Sequence, residues 1–195
     1  MTHSLIDFKS ALIGGGARPN LFEVEITGFP GDEPFDATNF SMLCKAASLP
    51  ASNIPSIDVP FRGRTFKVSG DRTVDPWTIT VINDENFRIR TAMEQWMQSI
   101  GQYADGSGFT NPFDYMRDAT VRHLGRLPSN VGPAIATGTG LDTIAEYQFY
   151  DIFPTNISAI DLSYDSSDTI EEFTVEFQVQ YWTPMGTRDV PAGEA

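Results

Sequence analysis

Residues 172–181 have the sequence Glu-Phe-Thr-Val-Glu-Phe-Gln-Val-Gln-Tyr, in which polar and apolar side chains alternate without a break. Successive side chains of a β-strand point to opposite faces, so a period of two is typical of a strand with one buried side. The apolar side carries Phe173, Val175, Phe177, Val179 and Tyr181, and the polar side includes Glu172 and Glu176. The stretch therefore predicts a long amphipathic strand with an acidic face.

A similar alternation near the other end of the chain predicts a second amphipathic strand over residues 20–29. Its apolar side chains are Phe22, Val24 and Ile26, and its acidic ones are Glu23 and Glu25. Further strands are predicted over residues 40–47, 77–82, 119–127, 146–152 and 157–164. Aromatic residues, which favour half-buried strands, make up 12% of the chain and support this total of seven or eight strands.

One amphipathic helix is predicted over residues 84–100. Its apolar residues recur at spacings of four, three, one and three, which places them on a single helical face. Asn83 or Asp84 can cap its beginning, and Gly101 can end it. The apolar face consists of Ile89, Met93, Trp96, Met97 and Ile100. We expect this face to pack against a sheet as part of the core.

Together these elements predict a mainly β fold, a sandwich or barrel of mostly antiparallel strands with one packed helix. A chain of 195 residues, of which 41% are hydrophobic, can bury a substantial core without disulfides or metals. No internal repeat and no linker divides the sequence, so residues 1–195 are predicted to form a single domain.

Two irregular segments accompany this domain. Residues 1–19 contain three consecutive glycines and a proline, which predicts a flexible N-terminal arm. Residues 50–70 contain three prolines and the triplet Arg62-Gly63-Arg64, which predicts an extended excursion that ends in a hairpin tip. Apolar side chains in such a segment favour contact with a neighbouring subunit. The candidate contact residues are Ile54, Ile57, Val59, Phe61, Arg62 and Arg64.

The charge balance argues against binding to a nucleic-acid backbone. The chain has 26 acidic and 13 basic residues, a formal net charge of -13, and no basic cluster. Its single cysteine, Cys44, cannot form an intrachain disulfide, so nothing points to an oxidising compartment. No apolar run approaches the roughly 18 residues of a membrane-spanning helix, and the first residues lack a signal-peptide pattern.

Residues that could carry catalysis or bind a metal are few and scattered. His3 lies in the arm and His123 in a predicted strand, and nothing pairs either with Cys44 as a base with its nucleophile. The glycines at 14–16 lack the Gly-Lys-Ser/Thr ending of a phosphate-binding loop. The acids between residues 32 and 36 lack the spacing of an EF-hand. The sequence thus predicts no catalytic residue, no cofactor and no metal site.

The acidic strand faces are open to two interpretations. Glu23, Glu25, Glu172 and Glu176 either form an ordinary solvated face or form an acidic wall past which a polyanion moves. The alternation of residues alone does not separate the two. A carboxylate pair of an acidic hydrolase remains a further alternative.

Five segments carry motifs that occur together, in the same order, in one known family. Residues 11–22 read Ala-Leu-Ile-Gly-Gly-Gly-Ala-Arg-Pro-Asn-Leu-Phe, and residues 67–78 read Lys-Val-Ser-Gly-Asp-Arg-Thr-Val-Asp-Pro-Trp-Thr. Residues 82–97 include Glu-Gln-Trp-Met, 150–163 include Phe-Pro-Thr-Asn-Ile-Ser, and 171–182 end in Val-Gln-Tyr-Trp. The ordered set resembles the tail tube proteins of contractile-tailed bacteriophages and covers most of the chain.

The resemblance implies a structural virion protein with a tail-tube-like fold, and not an enzyme. Such subunits, made in the host cytoplasm, assemble into stacked hexameric rings that form the inner tube of a contractile phage tail. Implied partners are other copies of the chain, the tail sheath protein, and the baseplate and tail terminator proteins. DNA passes through the tube during ejection without specific binding. The alternatives are a baseplate tube initiator and a secretion-type or bacteriocin-type tube protein.

With this resemblance, the sequence features become specific expectations. We expect acids among Glu23, Glu25, Glu172 and Glu176 to face the lumen, where they would repel DNA phosphates from the wall. We expect the excursion at 50–70 and the arm at 1–19 to make contacts between stacked rings, and edge strands to make contacts within a ring.

Overall fold

The fold is built around one long strand that takes part in both halves of an antiparallel sheet. The computed structural model describes residues 5–12, 16–29, 37–125, 143–165 and 167–185. The helices are α1 (Leu5–Ala11), α2 (Ala37–Leu43), α3 (Arg88–Ile100) and α4 (Pro112–Tyr115). The strands are β1 (Phe22–Ile26), β2 (Cys44–Ala47), β3 (Ser56–Phe61), β4 (Arg64–Ser69), β5 (Trp77–Ile82), β6 (Arg117–Leu124), β7 (Thr143–Ile157), β8 (Glu172–Gln178) and β9 (Tyr181–Met185).

Seven of these strands form the main sheet, in the order β1-β6-β7-β8-β5-β2, with β9 also paired to β7. All pairs are antiparallel, which confirms the predicted fold class. β9 pairs with residues 146–150 of β7, whereas β8 pairs with residues 153–157. Between them Asp151 adopts a positive φ of 52°, so β7 changes direction there and joins the two halves of the sheet.

The core lies between these two halves. Trp77 of β5 stacks on Phe149 of β7 with ring centroids 4.7 Å apart, and Phe177 of β8 packs 5.5 Å from Trp77. Trp96 of α3 contacts the same cluster through Phe177 at 5.8 Å. Aromatic pairs of this kind contribute about 0.5–1.5 kcal/mol each beyond the area they bury. The cluster therefore fixes both sheet halves and the helix in one arrangement.

Helix α3 begins at Arg88, four residues later than predicted. Phe87 precedes it with a left-handed φ of 54°, and the Asp84 carboxylate accepts a hydrogen bond of 3.1 Å from the Arg88 N–H. Ile89, Met93 and Trp96 are buried. Met97 and Ile100 are half-buried, and Ile100 packs against the core. The apolar face thus lies against the sheet.

The prediction of a strand over residues 40–47 was wrong in its first half. Residues 37–43 form α2, and only Cys44–Ala47 are extended. Phe40 is completely buried, and Leu43 and Cys44 follow it at the core side, a spacing that fits a helical turn. With α1 and α4, the described residues contain four helical segments, so the prediction of a single helix was also wrong.

Three further predictions differ from the structure. The strand predicted at 146–152 lies within β7, which ends at Ile157, whereas the strand predicted at 157–164 is wrong beyond Ile157 because residues 158–165 form a loop. The strand predicted over 172–181 is interrupted after Gln178, and Tyr181 stacks on Tyr150 with 4.6 Å between ring centroids instead of continuing the core face. Residues 5–11 of the predicted arm are helical. His3, the acids at 32–36 and most of the glycine triplet lie outside the described residues.

Candidate assembly surfaces

The described residues contain little that could carry chemistry. Cys44 is buried, and burial raises the pKa of its thiol to about 12 from the ordinary 9.0, although a backbone hydrogen bond at Ala46 acts in the opposite direction. A thiol that keeps its proton is a poor nucleophile. Among the described residues, no group of three or more His, Cys, Asp and Glu side chains could hold a metal ion.

The two ends of the sheet path are edge strands. Within the described residues, β1 pairs only with β6 and β2 pairs only with β5. The outer edge of each strand presents backbone N–H and C=O groups to whatever lies beside it. An edge of this kind can accept a strand from another chain.

A cleft of about 600 Å³ separates these two edges. Helix α2 packs on β1 at one side of the cleft and runs directly into β2 at the other. The lining includes Phe22, Glu23, Glu25, Met42, Lys45 and Leu124. The cleft thus combines apolar and charged side chains, and the sheet remains open between β1 and β2.

All four glutamates singled out from the sequence lie on the face of the sheet that points away from the core. On β1, Glu23 and Glu25 alternate with the buried Val24 and Ile26. On β8, Glu172 and Glu176 alternate with the buried Phe173, Val175 and Phe177. All four carboxylates therefore lie on the outer surface of the folded sheet, called here the polar face, with Glu23 and Glu25 on the half that contains β1 and the other two on β8, three strand positions away.

Arg122 of β6 forms the centre of the charge network at one end of this face. Its guanidinium lies 2.8 Å from Glu25, 3.3 Å from Glu146 and 3.9 Å from Glu23. Partial burial alone would lower the pKa of Arg122, but the hydrogen bond that it donates to Glu25 and the charges of Glu146, Glu25 and Glu23 outweigh it and raise the pKa above its ordinary value. This arginine therefore stays charged and offsets part of the carboxylate charge around it.

The other half of the polar face carries fewer charged groups than the network around Arg122. Lys45 of β2 forms an ion pair with Glu172 of β8. The face then carries five carboxylates, from Glu23, Glu25, Glu146, Glu172 and Glu176, and two cations, from Lys45 and Arg122. These seven groups together carry three negative charges, fewer than the four glutamates singled out from the sequence carry alone.

Strands β3 and β4 form a separate hairpin with an amphipathic cross-section. The register pairs Ile57 with Val68, Val59 with Phe66, and Phe61 with Arg64. Side chains alternate in a strand, so the five apolar residues share one face, with Arg64 at its tip. The opposite face carries Ser56, Asp58, Pro60, Thr65, Lys67 and Ser69. We call the first surface the apolar hairpin face.

The apolar hairpin face has no cover within the described chain. Every residue of both strands is exposed, and Phe66 is 66% exposed. Arg62 and Gly63 form the two-residue turn with φ values of 45° and 79°, the positive values that this hairpin turn requires. A two-stranded hairpin alone is at best marginally stable in water, so cover over its apolar side chains would stabilise it.

Sequence reasoning found part of this surface and missed the rest. Ile57, Val59, Phe61 and Arg64 do lie on the apolar hairpin face, whereas Arg62 lies in the turn and Ile54 precedes the hairpin. Phe66 and Val68 on the return strand were missed. Their alternation with Lys67 was the available signal. Leu5, Ile6 and Phe8 of α1 are also exposed, so this helix offers a second uncovered apolar surface.

Comparison with known proteins identifies the family of this chain. Residues 17–185 match the family described as phage tail tube protein. The chain belongs to the phage tail tube protein family. The tail tube protein gp19 of Enterobacteria phage T4 is 36% identical over 171 residues, which cover 87% of this chain and 92% of that protein. This tail tube protein is therefore a structural component of the phage virion, located in the tail, and not an enzyme.

Two solved structures share the fold of the tail tube protein at low sequence identity. The sheath–tube complex of an extracellular contractile injection system, in its extended state, contains a chain with a TM-score of 0.59 and 14% identity, covering 95% of this chain and all of that one. The baseplate of the anti-feeding prophage contains another, with a TM-score of 0.62 and 10% identity, covering 88% and 96%. In the described part of the tail tube protein, no helix has the length and hydropathy needed to cross a membrane.

Proposed function

We propose that six copies of this tail tube protein join into a ring and that the rings stack into the inner tube of a contractile phage tail. The observation that carries this proposal is the open sheet. Its path begins at one edge strand, β1, and ends at another, β2, with a cleft between them. Joining such edges between copies continues one sheet around a ring, and a head-to-tail contact closes when its rotation permits.

The polar face is proposed to line the lumen of this tube. Glu23, Glu25, Glu172 and Glu176 lie on the side of the sheet opposite the core, so the half of the sheet that faces inward in a ring would present its glutamates to the lumen. Each half carries more carboxylates than cations, and this excess would repel DNA phosphates at close range, within a Debye length of about 10 Å at 0.1 M salt. DNA would then pass without binding to the wall.

The hairpin and α1 are proposed to connect one ring to the next. Both expose apolar side chains that nothing in the described chain covers. Ordering them on a neighbour would cost conformational entropy, which the buried apolar area must offset. The proposed tube would also contact a tail sheath on its outside, a baseplate at one end and a tail terminator at the other. The related injection-system chains, which come from a sheath–tube complex and a baseplate, support these partners.

Electron microscopy of the purified, concentrated protein in negative stain tests the proposal. We expect hollow rings or tubes of uniform width, with a lumen that admits duplex DNA. Because tube growth can require a template, the same protein is also mixed with the tube initiator of its baseplate. Rings that do not have six subunits, or a chain that stays monomeric in both samples, would contradict the proposal.

A further inference from the structure

The hairpin leaves the body of the subunit at one end of the sheet. Residues 56–69 lie between β2 and β5, and β5 starts at Trp77, which is paired with Phe177 near the end of β8. The other end of the same ladder pairs Ile82 with Glu172, the first residue of β8. Six residues of strand span about 17 Å, so the two ends of this ladder are well separated.

Another uncovered surface lies at the end of this ladder where Ile82 pairs with Glu172. The segment before β8, residues 158–165 and 167–171, contains no lysine or arginine, and it is called here the acidic loop. Asp161, Asp165 and Asp168 are exposed, and none of them forms an ion pair with the described residues. Leu162, Tyr164 and Ile170 are also exposed, Leu162 to 81%. The surface is therefore both acidic and apolar.

The hairpin has the complementary composition. Lys67 is paired with Asp58 on the polar side at 3.5 Å. Arg62 and Arg64 at the tip have no ion-pair partner within the described chain, and the Arg62 guanidinium lies 5.4 Å from the centre of the Phe61 ring. The tip thus combines two unpaired cations with an aromatic ring, beside the apolar hairpin face.

We propose that the hairpin of one subunit docks on the acidic loop of a second copy of the same chain. Arg62 and Arg64 would face the aspartates, and the apolar hairpin face would cover Leu162, Tyr164 and Ile170. This proposal identifies the surface on which the hairpin docks in the neighbouring ring, and it therefore rests on the proposed function. Because the two surfaces lie at opposite ends of one ladder, the contact is head-to-tail and repeats from copy to copy along a stack.

The balance of forces fits a contact that forms during assembly. Aromatic and arginine side chains are the residue types that most often dominate interface energies. Opposite charges on the two surfaces accelerate correct encounters and disfavour wrong ones, in particular hairpin against hairpin. We therefore expect stacking to slow as salt concentration rises, because the charges are exposed before contact.

Cross-linking between introduced cysteines tests the contact directly. The native Cys44 is buried with a raised pKa, so it does not compete for a maleimide reagent. In the full chain, Arg64→Cys together with Asp165→Cys should give a ladder of covalent oligomers when assembled tubes are treated with a flexible bismaleimide. The matched control, Gln98→Cys with Asp165→Cys, replaces an exposed residue of α3 and should give no ladder.

Charge reversal gives a second, independent measurement. Arg64→Glu or Asp165→Lys alone should raise the protein concentration needed for tube assembly roughly tenfold, and the two together should restore most of the loss. Arg88→Glu, at an exposed position of α3, is the control with the same charge change and should leave assembly unchanged. Unfolding measured on each variant separates a folding defect from an assembly defect.

The outcomes distinguish this contact from the tube itself. Tubes that form normally without a cross-linked ladder, or with no response to either reversal, would overturn the docking contact and leave the proposed function intact. A wild-type chain that forms neither rings nor tubes, even with an initiator, would overturn both.

Discussion

The indole nitrogen of Trp96 donates a hydrogen bond of 2.6 Å to the backbone carbonyl oxygen of Tyr115, and Trp96 is completely buried. This bond joins the middle of α3 to the end of α4, immediately before β6 begins at Arg117. The same ring packs on Phe29 at 5.0 Å and on Phe177 at 5.8 Å. One side chain thus connects the helix to three separate parts of the chain.

Trp96→Phe is expected to lower the free energy of unfolding of the isolated subunit by about 2–4 kcal/mol. The smaller ring leaves a cavity, and the Tyr115 carbonyl loses its donor. Urea unfolding followed by circular dichroism measures the effect. Trp182→Phe, at a half-buried position of β9, is the control and should cost less than about 1.5 kcal/mol. Equal losses for the two variants would contradict the role assigned to the Trp96 bond.

Because the pKa of Cys44 is raised in the folded chain, we expect the free energy of unfolding to decrease at alkaline pH. The unfolded thiol loses its proton near pH 9, whereas the folded one keeps it to about pH 12. The stabilisation is therefore complete below pH 9 and decreases as the pH rises toward 12, by about 1.4 kcal/mol per unit. Unfolding of wild type and Cys44→Ala at pH 7, 9 and 10 measures the difference between them. A difference that does not change with pH would show that the thiol is not held protonated.

Phe66 separates folding from assembly. Its side chain is exposed in the subunit, so Phe66→Ser should change the free energy of unfolding by no more than about 0.5 kcal/mol. Loss of an aromatic anchor from an interface should, however, raise the concentration needed for assembly by tenfold or more. Light scattering follows assembly. Thr65→Ala, on the opposite face of the same hairpin, should assemble like wild type. A larger assembly defect in Thr65→Ala than in Phe66→Ser would place the contact on the opposite face of the hairpin.

Glu176 tests the proposed lumen. Tubes of Glu176→Lys should retain short single-stranded oligonucleotides at low salt, whereas wild-type tubes should exclude them, because the sign of the local charge is reversed. Co-sedimentation of a fluorescent oligonucleotide with the tubes measures retention. Glu85→Lys makes the same charge change at an exposed position before α3 and should not increase retention. Retention by the Glu85 variant alone would place Glu176 outside the lumen.

The elements that sequence reasoning identified correctly are those in which a single periodicity continues. In β8 and β1 the alternation is uninterrupted, and the spacing of Ile89, Met93 and Trp96 fits only a helix. β7 continues past the strand predicted at 146–152 because residues 153–157 pair with β8, a contact between segments that are distant in sequence. Around Phe40 the helix is too short to show a period, and its burial depends on contact with Phe29, which is distant in sequence.

A surface could be predicted from the sequence where the positions of its side chains follow from the alternation within a single strand. The four glutamates share a face because each alternates with buried neighbours on its own strand. The network around Arg122 was not predictable, since it requires the register that places β1, β6 and β7 side by side. Similarly, Phe66 and Val68 join the apolar hairpin face only through their pairing with Val59 and Ile57.

The network at Arg122 also bears on how phages with such tails can diverge. In the proposed ring, one codon change at this position alters the charge of every ring by six units, and the alteration repeats along the whole tail. Carboxylates and cations on the polar face therefore change the charge of the same surface in opposite directions. In the proposed tube, a substitution at Arg122 would therefore change the repulsion between wall and DNA without altering the buried core that holds the fold.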